Sequence, residues 1–215
     1  SLHGYFVGPG DTKKPLELRV ERLRDGRSFA SRQVRVIQDG RLVFIMLASF
    51  HRDGDAGPEH QDVAPQVLSP DEAARRGGGA PYSTRIILKE WTDWDIRLVP
   101  DEGRDDAAAE VTGAGYRHIW FRNTGELGSD PAFHRAALTY MSDMTLIRSA
   151  LIPHQGEKIQ LASLDHAVWF LRPFRVDEWL LYEQVSPTAS QGTAIARGKL
   201  FTEQGELVAL VNQEG

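Results

Sequence analysis

From Ser1-Leu2 to Pro9, and again over residues 16–23 and 28–37, apolar and polar side chains take turns along the chain. A period of two puts one kind of side chain on each face of a sheet, so all three segments read as strands. Gln38-Asp39-Gly40-Arg41 then separates the third from the apolar run Val43–Leu47. Asp-Gly between two such runs is a strong hairpin signal, because both residues tolerate the positive φ of a tight turn. The same order returns late in the chain. A strand starts at Ser163-Leu164 and reaches Pro173, two more cover 178–185 and 193–201, and Gln204-Gly205 is a weaker turn before Leu207–Val211. Ser1 matches Ser163 at an offset of 162 positions, and Gly40 matches Gly205 at 165. So small a drift over an ordered set of matches points to a duplicated unit.

The period changes between the copies. After Ser129-Asp130-Pro131, the apolar residues Phe133, Ala137, Tyr140, Met141, Met144, Ile147 and Leu151 recur at three- and four-residue steps. That is the spacing of a helix with one buried face. Asp130 is its cap, Pro131 its first residue, and Pro153 its stop. Tyr116–Arg122, upstream, reads as a strand. Residues 52–110 are looser. Ser69-Pro70-Asp71-Glu72 before Gly77–Gly79 predicts a short capped helix. Arg85–Val99 holds enough Ile, Leu and Trp to pack against a neighbour. The expected organisation is a first repeat at 1–51, a linker at 52–110 and a second repeat at 111–215.

The second repeat thus reads as a strand, a long helix and four antiparallel strands. The first shows only the last four strands. The chain also begins without Met, so it is expected to be a fragment shortened at its N-terminus, and at its C-terminus as well. A long helix wrapped by a curved antiparallel sheet is the hotdog arrangement. Ala194, Ala196 and Gly198 alternate with larger residues and would let a helix approach closely. The expected fold class is α+β: a double hotdog with a continuous antiparallel sheet, its first half lacking the opening strand and helix.

Composition narrows the function. At 215 residues, 41% hydrophobic and 26% charged, the chain is ordinary globular material. A net charge of −5 argues against a nucleic-acid partner held on a basic face. The chain has no cysteine, which excludes a disulfide scaffold, a thiolate metal site and a Cys nucleophile. No apolar run approaches the ~20 residues that cross a bilayer, so no membrane partner is expected.

Four segments carry a more specific signal: SLHGYFVGPGDTKKP, HRAALTYMSD, SLDHAVWFLRPFRVDEWLLYE and the closing NQEG. Together they resemble the type II acyl-CoA thioesterases, and the resemblance covers nearly the whole chain apart from the linker. It implies a double hotdog that hydrolyses fatty acyl-CoA to free fatty acid and CoA with an activated water, using neither metal nor cofactor. It also implies three site residues. The aspartate of the helix motif falls on Asp143, the hydroxyl residue ahead of the Asp-His pair on Ser163, and the glutamine of the last strand on Gln213. The family usually has threonine at the second position. Serine keeps the hydroxyl and loses the methyl that restricts its rotamer. In this reading Asp143 is the general base, and Ser163 and Gln213 orient the water. The oxyanion would meet a backbone N–H near a helix N-terminus. Dimers or tetramers of the chain are implied, with the cytoplasm as compartment and the peroxisome left open.

The residues alone point the same way less sharply. Asp143 lies among Met141 and Met144 in the expected helix, where a carboxylate needs hydrogen bonds. Gln213 shares a strand face with Leu207, Ala209 and Val211, and an amide ending a buried face needs a partner. Other candidates read as structural. Asp165 and His166 are neighbours on a strand and point to opposite faces. His118, His134 and His154 lack metal-ligand spacing. Ser28, Ser31, Ser186 and Ser190 lack the nucleophile elbow. Gly8-Pro9-Gly10 and Gly77–Gly79 lack phosphate-loop spacing. Trp169, Phe170 and Trp179 read as core, and Lys13, Lys14, Arg172 and Arg175 as solvated charge. Two other functions compete with hydrolysis. A hotdog hydratase or dehydratase would use a His with a carboxylate, which the Asp, Ser and Gln positions disfavour. A non-catalytic acyl-CoA-binding module would bind without turnover.

Overall fold

A computed structural model describes residues 1–52, 54, 57–77, 89, 91–100, 115–154 and 156–215. The expected linker tip at Gly78-Gly79 and most of Arg85–Glu90 lie outside the described residues. Among those described, ten strands form one antiparallel sheet. In chain order they are β1 (Leu2–Phe6), β2 (Glu17–Asp25), β3 (Phe29–Gln38), β4 (Arg41–His51), β5 (Trp94–Leu98), β6 (Gly115–Asn123), β7 (Asp165–Phe170), β8 (Leu180–Ser190), β9 (Thr193–Thr202) and β10 (Leu207–Glu214). The spatial order is β2-β3-β4-β1-β7-β10-β9-β8-β6-β5. Across the β1–β7 junction this order mirrors itself, β4 opposite β10, β3 opposite β9 and β2 opposite β8. Tyr5 pairs with Asp165 and Leu2 with Val168 there.

Three helical segments accompany the strands among the described residues: α1 (Pro70–Arg76), α2 (Pro131–Ser142) and a 3₁₀ segment, Ile147–His154. The Ser69 hydroxyl and the Glu72 carboxylate cap α1 reciprocally. Asp130 caps α2 by accepting from the Ala132 N–H, and Pro131 opens it, as the sequence predicts. One face of the sheet receives α2 and the 3₁₀ segment. Leu138, Met141 and Leu146 pack there against Phe121, Tyr182 and Val211, all at most 1% exposed. The opposite face is covered by α1 and the chain before it. Ala73 meets Trp120, Leu181 and Phe201, and the Trp120 indole donates to the Leu68 carbonyl at 2.9 Å.

The expected helix from Pro131 to Pro153 is not continuous. It stops at Ser142, and residues 143–146 turn before the 3₁₀ segment begins. Its buried face is also rotated. His134, Leu138, Met141 and Ser142 are buried, whereas Phe133 and Tyr140 are 52% and 63% exposed. Tyr140 packs its ring against Trp91 at 4.5 Å. β5 is an edge strand within the segment read as linker. A register irregularity between Leu207 and Ala209 turns Leu207 to the opposite face, while Ala209 and Val211 face the helix.

Small residues do face the helix side, and Ala196 is fully buried. The close neighbour of Gly198, however, is a ring on the adjacent strand. A Cβ there would sit 2.3 Å from Tyr182 Cε2. The missing side chain lets Tyr182 lie over β9 and reach the end of α2. Gly198→Ala is therefore expected to cost about 1–3 kcal/mol by overpacking, seen as a lower thermal midpoint. An unchanged midpoint would show that the ring can yield.

The helix face continues past the junction. Gly4 pairs with His166 and Met46, Met46 with Val34, and Val34 with Val20. Directly opposed residues share a face. On this part of it Phe6, Leu18 and Val20 are 44%, 64% and 63% exposed.

Candidate active site

Backbone pairing brings the end of β10 beside the entry to β7. Leu164 N–H donates to the Glu214 carbonyl at 2.8 Å, and Glu214 N–H donates to Asp165 Oδ1 at 2.6 Å. Gly215 and Ala194 exchange backbone hydrogen bonds on the other side. Gln213 and Ser163 are thereby fixed next to each other although 50 positions apart. The third residue comes from the helix side. Asp143 is the C-cap of α2, with φ −75° and ψ −20°, rather than a mid-helix residue.

All three residues expected from the sequence meet. Gln213 Nε2 donates to Asp143 Oδ1 at 2.5 Å and to Ser163 Oγ at 2.8 Å. A primary amide has two N–H bonds, and both are used. Gln213 is 1% exposed. Its Oε1 is buried without a protein partner among the described residues. Ser163 is half-buried, and Asp143 is open to solvent on its remaining side. The cluster therefore presents a carboxylate and a hydroxyl on an amide anchor that the sheet holds rigidly.

Asp165 and His166 diverge, as their strand positions require. Asp165 Oδ2 takes the His3 Nε2 at 2.7 Å. His166, 6% exposed, lies on the helix face with Gln213, and its Nε2 is 2.8 Å from Ser142 Oγ. The Ser142 hydroxyl already donates to the Thr139 carbonyl at 2.8 Å. It must therefore accept from His166, which places the imidazole proton on Nε2. Burial holds His166 below the ordinary imidazole range, against the pull of the Asp143 and Asp165 carboxylates and with a small push from His3. The ring is neutral at pH 7. Unfolded, this side chain binds a proton near pH 6.5, which the folded chain refuses. Stability is therefore expected to fall as pH drops below about 6.5. Urea midpoints at pH 7.5 and 5.5 should differ less in His166→Gln than in the wild type. An equal difference in both would contradict the assignment.

Trp169, read as core, is instead 39% exposed, and several other candidates hold structural contacts. Val176 N–H donates to His134 Nδ1 at 3.2 Å, so His134 Nε2–H donates to the Gly128 carbonyl at 2.9 Å. Ser186 donates to the Ile195 carbonyl. Lys14 pairs with Asp39, Arg175 with Asp177, and Arg172 donates to the Leu207 carbonyl. Sequence reasoning missed the polar side chains around the end of α2: Ser142, Thr145, Tyr182 and Gln184. Gln184 alternates with Tyr182 and Leu180 on the buried face of its strand, and a polar residue in that register was the available signal.

Known proteins resemble this chain over its full length. A family model described as acyl-CoA thioesterase matches residues 89–215, and one described as acyl-CoA thioesterase N-terminal domain matches residues 1–51. Acyl-coenzyme A thioesterase 8 of Mus musculus is 32% identical over 228 aligned positions, covering 100% of this chain and 71% of its own length. The crystal structure of an acyl-CoA thioesterase II, TesB2, from Mycobacterium marinum superposes with a TM-score of 0.87 at 44% identity, over 99% of this chain and 77% of that one. A protein with a hot dog fold from Alicyclobacillus acidocaldarius, 21% identical, shares the architecture at a TM-score of 0.76, over 99% of this chain and 76% of that one.

Proposed function

The chain belongs to the acyl-CoA thioesterase family, and from that premise we propose that Asp143, Ser163 and Gln213 form its hydrolytic centre. The reaction is hydrolysis of an acyl-CoA thioester to the free acid and CoA. The observation that carries the site is the Gln213 amide, which donates to Asp143 and Ser163 at once.

Donor counting gives each group a role. Gln213 spends both N–H bonds on its neighbours. Ser163, accepting from it, keeps its own O–H to donate, and Asp143 keeps Oδ2 to accept. A water between them donates one proton to Asp143 and is steadied by Ser163, leaving a lone pair for the thioester carbonyl. As that oxygen bonds to the acyl carbon, its proton passes to the Asp143 carboxylate. The C–S bond then breaks, and protonated Asp143 returns the proton to the departing sulfur. Base assistance of this kind contributes roughly 10²–10⁴-fold, and fixed orientation adds to it. The test is free-thiol release from medium- and long-chain acyl-CoA by the wild type and by variants at Asp143 and Gln213. Equal release by all would defeat the site. Hydration of an enoyl-CoA without CoA release would favour a hydratase, and tight binding without turnover a binding module.

The hotdog architecture extends in this reading to two repeats, at 1–51 and 111–215, joined by 52–110. The mirrored strand order supports it. The apolar face carrying Phe6, Leu18 and Val20 is then the place of a helix equivalent to α2. Among the described residues no helix is long and apolar enough to cross a membrane. A homodimer or homotetramer in the cytoplasm, or in a peroxisome, completes the proposal.

A further inference from the structure

The turn that carries Asp143 is held against its own preference. Thr145, two residues on, has φ +60°. A β-branched residue in the left-handed region is strained, and such strain persists only where surroundings impose it. The apolar period runs on to Leu151 without Pro or Gly before Pro153, so local sequence favours continuing the helix that the structure ends at Ser142.

The restraint comes from β8 and β7. Gln184, fully buried, donates Nε2 to the Met144 carbonyl at 3.0 Å and accepts from Thr145 Oγ1 on Oε1 at 3.0 Å. Tyr182 donates its hydroxyl to the Ser142 carbonyl at 2.7 Å. Burial raises the Tyr182 phenol well above its usual value, and the Asp143 carboxylate adds to this, so the hydroxyl keeps its proton. His166 holds the Ser142 side chain. Residues 142, 144 and 145 are thus each tied to the sheet, and Asp143 is the member of the turn left pointing at Gln213.

We propose that Gln184 is a positioning residue for thioester hydrolysis, clamping Met144 and Thr145 so that the strained turn presents the Asp143 carboxylate to Gln213 and to the attacking water. This rests on the hydrolytic role given to Asp143 above. Gln184 does not touch the reacting atoms. It acts by denying the turn its relaxed form, and a shift of about 1 Å in the base costs on the order of 10²-fold in rate.

The experiment compares CoA release and thermal midpoints for the wild type, Gln184→Leu, Thr145→Val, Asp143→Ala and the two double variants containing Asp143→Ala. Thr145→Val removes the hydroxyl that Gln184 holds and keeps the shape and the β-branched strain, so it is expected to fold, with a midpoint lowered by the unpaired Gln184 Oε1. Both Gln184→Leu and Thr145→Val should lower kcat about 10- to 100-fold with KM little changed. Neither should slow the Asp143→Ala protein further, because the clamp acts through that carboxylate. If Gln184→Leu does not fold, Thr145→Val decides alone. Wild-type kcat in Thr145→Val, or the same fractional loss on the Asp143→Ala background, overturns the positioning role and leaves the hydrolytic site standing. Wild-type kcat in Asp143→Ala overturns both.

Discussion

Asp143→Asn slows CoA release by about 10²–10⁴-fold, the contribution expected of a positioned general base. The substitution isolates the proton transfer. Asparagine Oδ1 still accepts the Gln213 amide, so the hydrogen bond that places the side chain survives. Asp143 is also open to solvent at the C-cap of α2, and its neutralisation leaves no charge or polar group stranded in the core. The thermal midpoint should stay close to that of the wild type. KM should change little, because the lost interaction develops as the water is deprotonated. Release at more than a tenth of the wild-type rate would remove Asp143 from the role of base.

Gln213→Leu is expected to lower kcat by on the order of 10²-fold through loss of orientation alone. The amide is the only one of the three groups that touches both others, and leucine fills its space without donating. Ser163 and Asp143 can turn to solvent, so no buried partner is orphaned. Gln213 Oε1 is buried without a protein partner among the described residues, so an apolar replacement removes an unpaired buried acceptor. The expected signature is a protein as stable as the wild type, or more stable, that hydrolyses poorly. A parallel loss of stability and rate would make Gln213 a structural amide.

Much of the frame was legible in the sequence because it rests on local patterns. The Asp39-Gly40 turn has both residues at positive φ, at 51° and 75°. The Asp130-Pro131 start of α2 follows from capping chemistry that needs only neighbours. Gln213 could be placed on a buried face by counting twos from Ala209. The end of α2 could not be read this way. Nothing between Ser142 and Pro153 breaks a helix locally. The break is imposed by Gln184 and Tyr182, some 40 positions away. The same long-range packing rotates the buried face of α2 onto His134 and Leu138 and leaves Tyr140 to Trp91. Segment 94–98 carried no alternation strong enough to mark it as β5, whose pairing with β6 makes it a strand.

The site was legible by another route. Spacing within the chain says nothing about 70 residues of separation between Asp143 and Gln213. Only the resemblance of whole segments brought the three together in sequence, and the sheet then supplies the geometry: β10 closing on the entry to β7, with the turn after α2 above it.

The most direct test compares CoA release by the wild type, by Asp143→Asn, Ser163→Ala and Gln213→Leu singly, and by the triple variant. Groups that hold one water act as a unit, and their losses do not multiply. The triple variant should be about as slow as Asp143→Asn alone. A triple variant slowed by the product of the three single losses, or an Asp143→Asn protein as fast as the wild type, would contradict a shared water.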